Sequence, residues 1–267
     1  MITVLVIWFM CKPTMYSTSA FQIMFPQLSS CLGSAEQSKV VTVDESAADK
    51  AGFVLHHFIS RWLKSGHKVV IVGLEHSFGH YHSVGIKLGY NLLKLRESGQ
   101  VVFYEGLKKI LDLSLTDSTT FLLSNDHGIS SLKALYQEIS SLVSDNTLVV
   151  LDQVSVLTCL GFTTHSIYTF CHYLVSMIAS LNNCQLVMRL DQVGNSSVQL
   201  VRLMQQLARL NLTVAGLLTG QSRDVSGVLT LQDRGVEGEE RGQRIFQFRV
   251  EDKNVKIFAP GTSSAVL

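Results

Sequence analysis

The sequence predicts an α/β fold, a mostly parallel β-sheet flanked by helices, with antiparallel strands at the C-terminal end. Three observations carry that prediction. From residue 38 onward, short apolar runs of strand length alternate with amphipathic runs of helical length, as repeated βα units require. From residue 212 this rhythm gives way to strands with no long helix between them. The composition is 46% apolar and only 16% charged, with a mean hydropathy of +0.26, which suits strands covered on both faces.

The strand candidates of the first part are Val40 to Val43, Val69 to Leu74, Val101 to Tyr104, Leu148 to Leu151 and Leu186 to Leu190. Each is a short apolar run without strict alternation, the signature of a strand buried on both sides. The helix predicted from Gly52 to Lys64 sets Phe53, Val54, Leu55, Phe58, Ile59, Trp62 and Leu63 largely on one side and His56, His57, Ser60, Arg61 and Lys64 on the other. That stripe should dock on the sheet. Leu132, Leu135, Tyr136, Ile139, Leu142 and Val143 repeat the helical spacing, as do Val198, Val201, Met204 and Leu207. "SIYTFCHYLVSMIASL" (166–181) is apolar nearly all round, as expected of a central helix that must bury more than one stripe. In the tail, "IFQFRV" places Phe246, Phe248 and Val250 on one face, and "EDKN" makes a turn into "VKIF". Between strands, "DRGVEGEERGQR" is charged and glycine-rich, a surface loop by composition.

Residues 1–23 are read as an N-terminal extension outside the fold, and residues 24–267 as a single domain. The opening apolar run of about ten residues is far short of the ~20 that span a bilayer, and it lacks the positive flank of a signal peptide. Met24 is a second candidate start. Five cysteines without a C-x-x-C pair give neither a disulfide framework nor a zinc site, and fit a reducing compartment. The net charge of +1 supplies no global field for nucleic acid. Arg223, Arg234, Arg241, Arg244, Lys253 and Lys256 crowd the last third, but Asp224, Glu237, Glu239, Glu240 and Glu251 are interleaved with them. That pattern reads as a solvated charged face, and no RNA-contacting residue is assigned.

The chemistry of the chain turns on "KVVTVDESAADKAGFVLHHFI" (39–59), a strand, a loop and an amphipathic helix. This is the setting of a phosphate loop, whose GxxxxGK[ST] pattern supplies glycines, a lysine and a magnesium-binding hydroxyl. Here only Lys50 and Gly52 echo the motif, and Ala51 stands where a hydroxyl is needed. Glu45 and Asp49 oppose a polyanion: one like-charge contact near 4 Å costs on the order of 4 kcal/mol at an effective dielectric of about 20. Such carboxylates suit the bare, positive start of the helix instead, with Asp49 a candidate cap.

"TLVVLDQVS" has the form of a Walker B strand whose terminal acid, Asp152, would organise magnesium. Without the lysine and hydroxyl, an acid that caps a turn explains it as well. Lys50, Gly52 and Asp152 are therefore relic positions, and no catalytic residue, cofactor or metal site is assigned. The cluster "EHSFGHYH", with Glu75, His76, His80 and His82, leaves a strand and enters a helix, and its spacing does not make a zinc site. No G-x-S-x-G elbow is present, so a Ser/His/Asp hydrolase is not indicated.

"GFVLHHFISRWLKSGHKVVIVGLEHSFGHYHSVGIKLG", "GQVVFYEGLKKILD", "LVVLDQVSVLTCLG", "LTGQSRDVSGVLTL" and "IFAPGTSSAVL", taken in order, resemble the Elongator complex protein 6 family. The likeness runs from Met24 to Leu267, and family members open with a segment similar to "MFPQLSS". The resemblance implies a RecA-like, P-loop ATPase-type fold with degenerate Walker motifs. It further implies a hexameric ring with Elongator subunits four and five, two copies of each, and contact with the core subunits. That ring binds tRNA and assists modification of the wobble uridine, so this chain would be a non-catalytic partner in the cytoplasm and nucleus, away from membranes. Two alternatives stay open: an ATPase with an unorthodox phosphate loop built on Lys50 and Asp152, and a recombinase-like paralogue that binds DNA.

Overall fold

The computed structural model describes residues 25–46, 51–116, 129–192, 195–217, 224–235 and 242–262. In chain order the elements are α1 (Pro26–Leu32), a 3-10 helix (Gly33–Gln37), β1 (Val40–Glu45), α2 (Gly52–Lys64), β2 (Lys68–Val72), α3 (Phe78–Lys87), α4 (Leu92–Glu97), β3 (Val101–Tyr104) and α5 (Gly106–Thr116). They continue with α6 (Ile129–Leu142), β4 (Thr147–Leu151), α7 (Val156–Cys159), α8 (Thr164–Ser180), β5 (Gln185–Asp191) and α9 (Asn195–Leu207). The last four are β6 (Leu210–Ala215), β7 (Gly227–Asp233), β8 (Gln243–Val250) and β9 (Val255–Phe258).

The nine strands of the described residues form one sheet in the order β3-β2-β4-β5-β1-β6-β7-β8-β9. The pairings from β3 to β6 are parallel, and those from β6 to β9 are antiparallel. The predicted fold class is thus observed. The antiparallel part begins at β7, because β6 still lies parallel to β1.

Each central strand shows its side chains to two cores, which is why its sequence does not alternate. Val41 and Val43 face α1 to α4 together with Phe58 and Ile59 of α2, while Val70, Met188 and Leu190 face α5 to α9. In the second layer α8 is flanked by α6 and α9 and buries Ile167, Phe170, Leu174 and Ile178. Its outer side carries Tyr173, 56% exposed. Among the described residues no helix is long and apolar enough to cross a membrane.

Two faces differ from expectation. His56, His57 and Ser60 are buried, not exposed, because α2 is covered on a second side. Phe25 stacks on His57, and Glu36 of the 3-10 helix bonds His57 Nε2 at 2.6 Å. Across the helix His56 Nδ1 and Tyr90 Oη share a hydrogen bond. In β8, Phe248 is fully buried but Val250 is 47% exposed, because the predicted inward face runs out at the strand end. The segment α1 also reaches the far end of the sheet, where Gln27 Oε1 accepts the Ile257 N–H at 2.8 Å.

Three of the basic residues of the tail are engaged within the chain. Arg234 donates to the Gln206 carbonyl and Arg244 to that of Leu32, and Lys256 pairs with Glu251. Residues 1–24, Arg223 and the loop core 236–241, Arg241 included, lie outside the described residues.

Candidate functional site

In a parallel sheet the C-terminal strand ends, where helix N-termini converge, are where ligands bind. Here β1, β5, β4 and β2 bring Glu45, Arg189, Asp152 and the loop 73–77 to that edge. The site is built from these four parts.

Glu45 ends β1 on the α2 side of the sheet and is 3% exposed. Its Oε1 accepts the Ala51 N–H at 3.3 Å, and its Oε2 accepts from Arg189 Nε at 3.1 Å. An N–H at a helix start and a guanidinium are the donors that hold a phosphate. The chain's own carboxylate occupies them. This sharpens the expectation of simple repulsion: the acid fills the cleft as well as opposing an anion.

Arg189 is 3% exposed and pairs through Nη2 with Glu75 Oε2 at 3.1 Å. A buried guanidinium is tolerated only when its charge is met and its donors are satisfied, and here two carboxylates do so. The signal was present in the sequence: Arg189 is the one charged residue inside the apolar run Leu186 to Leu190.

Asp152, just beyond β4, has no exposed surface. Its Oδ1 accepts the N–H groups of Leu74 and Glu75 at 2.6 and 3.1 Å, and its Oδ2 accepts that of His76 at 2.9 Å. Burial pushes its carboxyl above the ordinary range, against these three bonds, which favour the charged form. The acid therefore pins the loop that follows β2 and does not cap the turn after its own strand. The loop also packs closely on Phe103 because residue 73 is glycine: a Cβ there would stand 2.5 Å from Phe103 Cζ and 2.8 Å from the His76 carbonyl oxygen.

The remaining relic positions add little. Gly52 is the first residue of α2, and a Cβ on it would meet nothing within 4 Å, so no close approach requires glycine there. Lys50 and Asp49 lie outside the described residues. The histidine cluster does not converge. His76 and His80 lie with centroids 4.1 Å apart and their rings tilted by 55°, His82 stacks on Phe78, and Glu75 turns to Arg189. Among the described residues no group of three or more His, Cys, Asp or Glu side chains is arranged to hold a metal ion.

Above this network opens a cavity of about 560 Å³, bounded by α2, α3, Arg189 and the β8–β9 turn. His56 forms part of its wall, and burial, followed by the charges of His80 and His76, holds its imidazole down to about 3. The imidazole is thus a neutral hydrogen-bonding group. Among the described residues the arrangement pairs no nucleophile with a base, and the donors that could hold an anion are taken by Glu45. What it offers is a cleft occupied by its own carboxylate under a solvent-facing cavity.

The sequence model of a family described as Elongation complex protein 6 matches residues 25–252. Elongator complex protein 6 of Xenopus laevis is 34% identical over 266 residues, covering 91% of this chain and all of that protein. The Homo sapiens protein of the same name is 30% identical over 267 residues, with the same coverage, and that of Drosophila melanogaster is 26% identical over 83% of this chain and 90% of its own. Among solved structures, a KaiC-like protein from Pyrococcus horikoshii OT3 superposes with a TM-score of 0.57 at 11% identity, over 85% of this chain and 95% of that one. The fold is RecA-like.

Proposed function

Because the chain belongs to the Elongation complex protein 6 family, we propose that it is a non-catalytic subunit of the Elongator complex. In this reading it joins subunits four and five in a hexameric accessory ring, two copies of each, and that ring meets the core subunits. The ring binds tRNA and supports modification of its wobble uridine, in the cytoplasm and in the nucleus.

The observation that carries the non-catalytic part is Glu45 seated on Ala51 N–H and Arg189, with Asp152 spent on three backbone N–H groups. A triphosphate would have to displace a carboxylate from the first and a metal would have to break the second. A subunit built this way contributes shape and contact surface to an assembly.

The test is co-expression with subunits four and five, followed by native mass spectrometry and a tRNA pull-down. A six-chain particle with two copies of this chain, which retains tRNA and hydrolyses no ATP at this subunit, is the expected result. A chain that stays apart from the other two would sink the assembly reading. ATP binding to the isolated chain that is lost in Lys50→Ala would instead favour the ATPase alternative.

A further inference from the structure

Phe25, the first of the described residues, forms part of the wall of the cavity above the ion network. Its ring packs edge-on against Phe53 and stacks on His57, so the chain enters the domain beside that cavity. The lip is apolar on three elements: Phe53 of α2 and Val84 and Leu88 of α3 are half-buried, and Val250 at the end of β8 is 47% exposed. Exposed apolar side chains gathered round a cavity mark a place that another apolar group covers. A second cavity, of about 500 Å³ between α6 and α8, lies on the opposite face of the sheet, with the core to which Phe25 does not belong.

The chain itself carries a candidate cover. Twenty-four residues precede Phe25, and the family match begins only at residue 25. Their opening run, "MITVLVIWFM", is apolar at nine of ten positions, and the one charged side chain before Phe25 is that of Lys12. Such a run gains by leaving water and brings no charged side chain into the cavity with it. The fourteen residues from Cys11 to Met24 extend to about 50 Å at most, ample for a cavity whose wall begins at the next residue. A short tether makes the contact intramolecular at an effective concentration on the order of millimolar. Weak affinity for the cavity is then enough.

We propose that the apolar run from Val4 to Met10 folds back onto this cavity and covers the lip formed by Phe53, Val84, Leu88 and Val250. The extension stands outside the domain's own fold and is nevertheless its first occupant. Anything else that uses the cavity has to displace it. The contact is made within one chain and does not depend on the assembly proposed above.

In the full-length chain the photo-crosslinker p-benzoylphenylalanine is incorporated in place of Trp8, and the protein is irradiated at low concentration, digested and mapped by mass spectrometry. Expected are crosslinks within one chain to peptides of α3 and of the β8–β9 turn. Val250→Asp, a change at an exposed position, and Ile7→Asp, a change within the run itself, each lower the crosslink yield at least threefold with the circular dichroism unchanged. Tyr173→Asp, on α8 across the sheet, leaves the yield as it was. Crosslinks to α6 or α8 overturn the proposal, as do crosslinks confined to dimers, which would make a second copy the occupant. A complete absence of crosslinks, a fall in yield with Tyr173→Asp, or a Val250→Asp yield equal to the unsubstituted one overturns it as well.

Discussion

Replacing Asp44 by asparagine tests whether a carboxylate buried in this sheet weakens the fold as its surroundings imply. Asp44 has no exposed surface. It lies on the face of β1 turned to α9, where Gln205 Nε2 donates to its Oδ2 and its Oδ1 has no partner. Burial raises its carboxyl from 3.8 to about 7, with the Gln205 bond drawing it back only in part. In the unfolded chain the same group titrates near 3.8. A folded-state value above the unfolded one means that the native state holds the proton more tightly. The associated stability is therefore complete below pH 3.8 and is lost as pH rises through about 7. At about 1.36 kcal/mol per pH unit, that interval amounts to about 4 kcal/mol. Asparagine keeps the size and the capacity to bond Gln205 while removing the charge. The variant should match the wild type near pH 4 and exceed it by up to about 4 kcal/mol near pH 8. Urea unfolding followed by circular dichroism across that range reads the difference directly. A difference that is constant with pH, or that grows toward acid, would refute the reasoning.

His56 supplies the opposite limb. Its value is depressed from 6.5 to about 3, so its contribution is present above pH 6.5 and lost as pH falls through about 3. His56→Gln, which retains a partner for Tyr90, should flatten acid unfolding, and an unchanged acid midpoint would count against this. Asp152→Ala strands three N–H groups at about 1–3 kcal/mol each. A clear fall in the urea midpoint is expected, with tRNA modification by the assembled, folded complex preserved; an unaltered midpoint would contradict the pinning role. Glu45→Ala should free the Ala51 N–H and leave Arg189 to Glu75 alone, so that the variant binds inorganic pyrophosphate and the wild type does not. If the variant gains no affinity, Glu45 is not standing in for an anion.

The sheet is legible in the sequence because its strands are short and unmixed: Val101–Tyr104 coincides with its predicted bounds, and β4 and β5 begin within one residue of theirs. Burial on two faces writes itself into consecutive residues, so no long-range knowledge is needed. The second cover of α2 is not legible. His56 and His57 read as a polar stripe because the partners that bury them, Tyr90 and Glu36, come from segments 34 and 21 residues away. Asp152 announces itself as an acid at a strand end, but its bonds reach back 76 to 78 residues to the loop after β2. Glu45 reads as an obstacle to phosphate, and only the proximity of Arg189 on β5, 144 residues further on, turns it into a replacement. Strand identity is a local property, whereas the role of an ion depends on which strands the topology sets side by side.

The Gln27 amide on the Ile257 N–H bears on how this molecule meets others of its kind. A terminal strand with free peptide groups is a template on which foreign strands add, and unchecked addition ends in fibres. By turning a glutamine from α1 onto β9, the chain takes up one of the peptide N–H groups of that strand, and a strand pairing there would have to displace it.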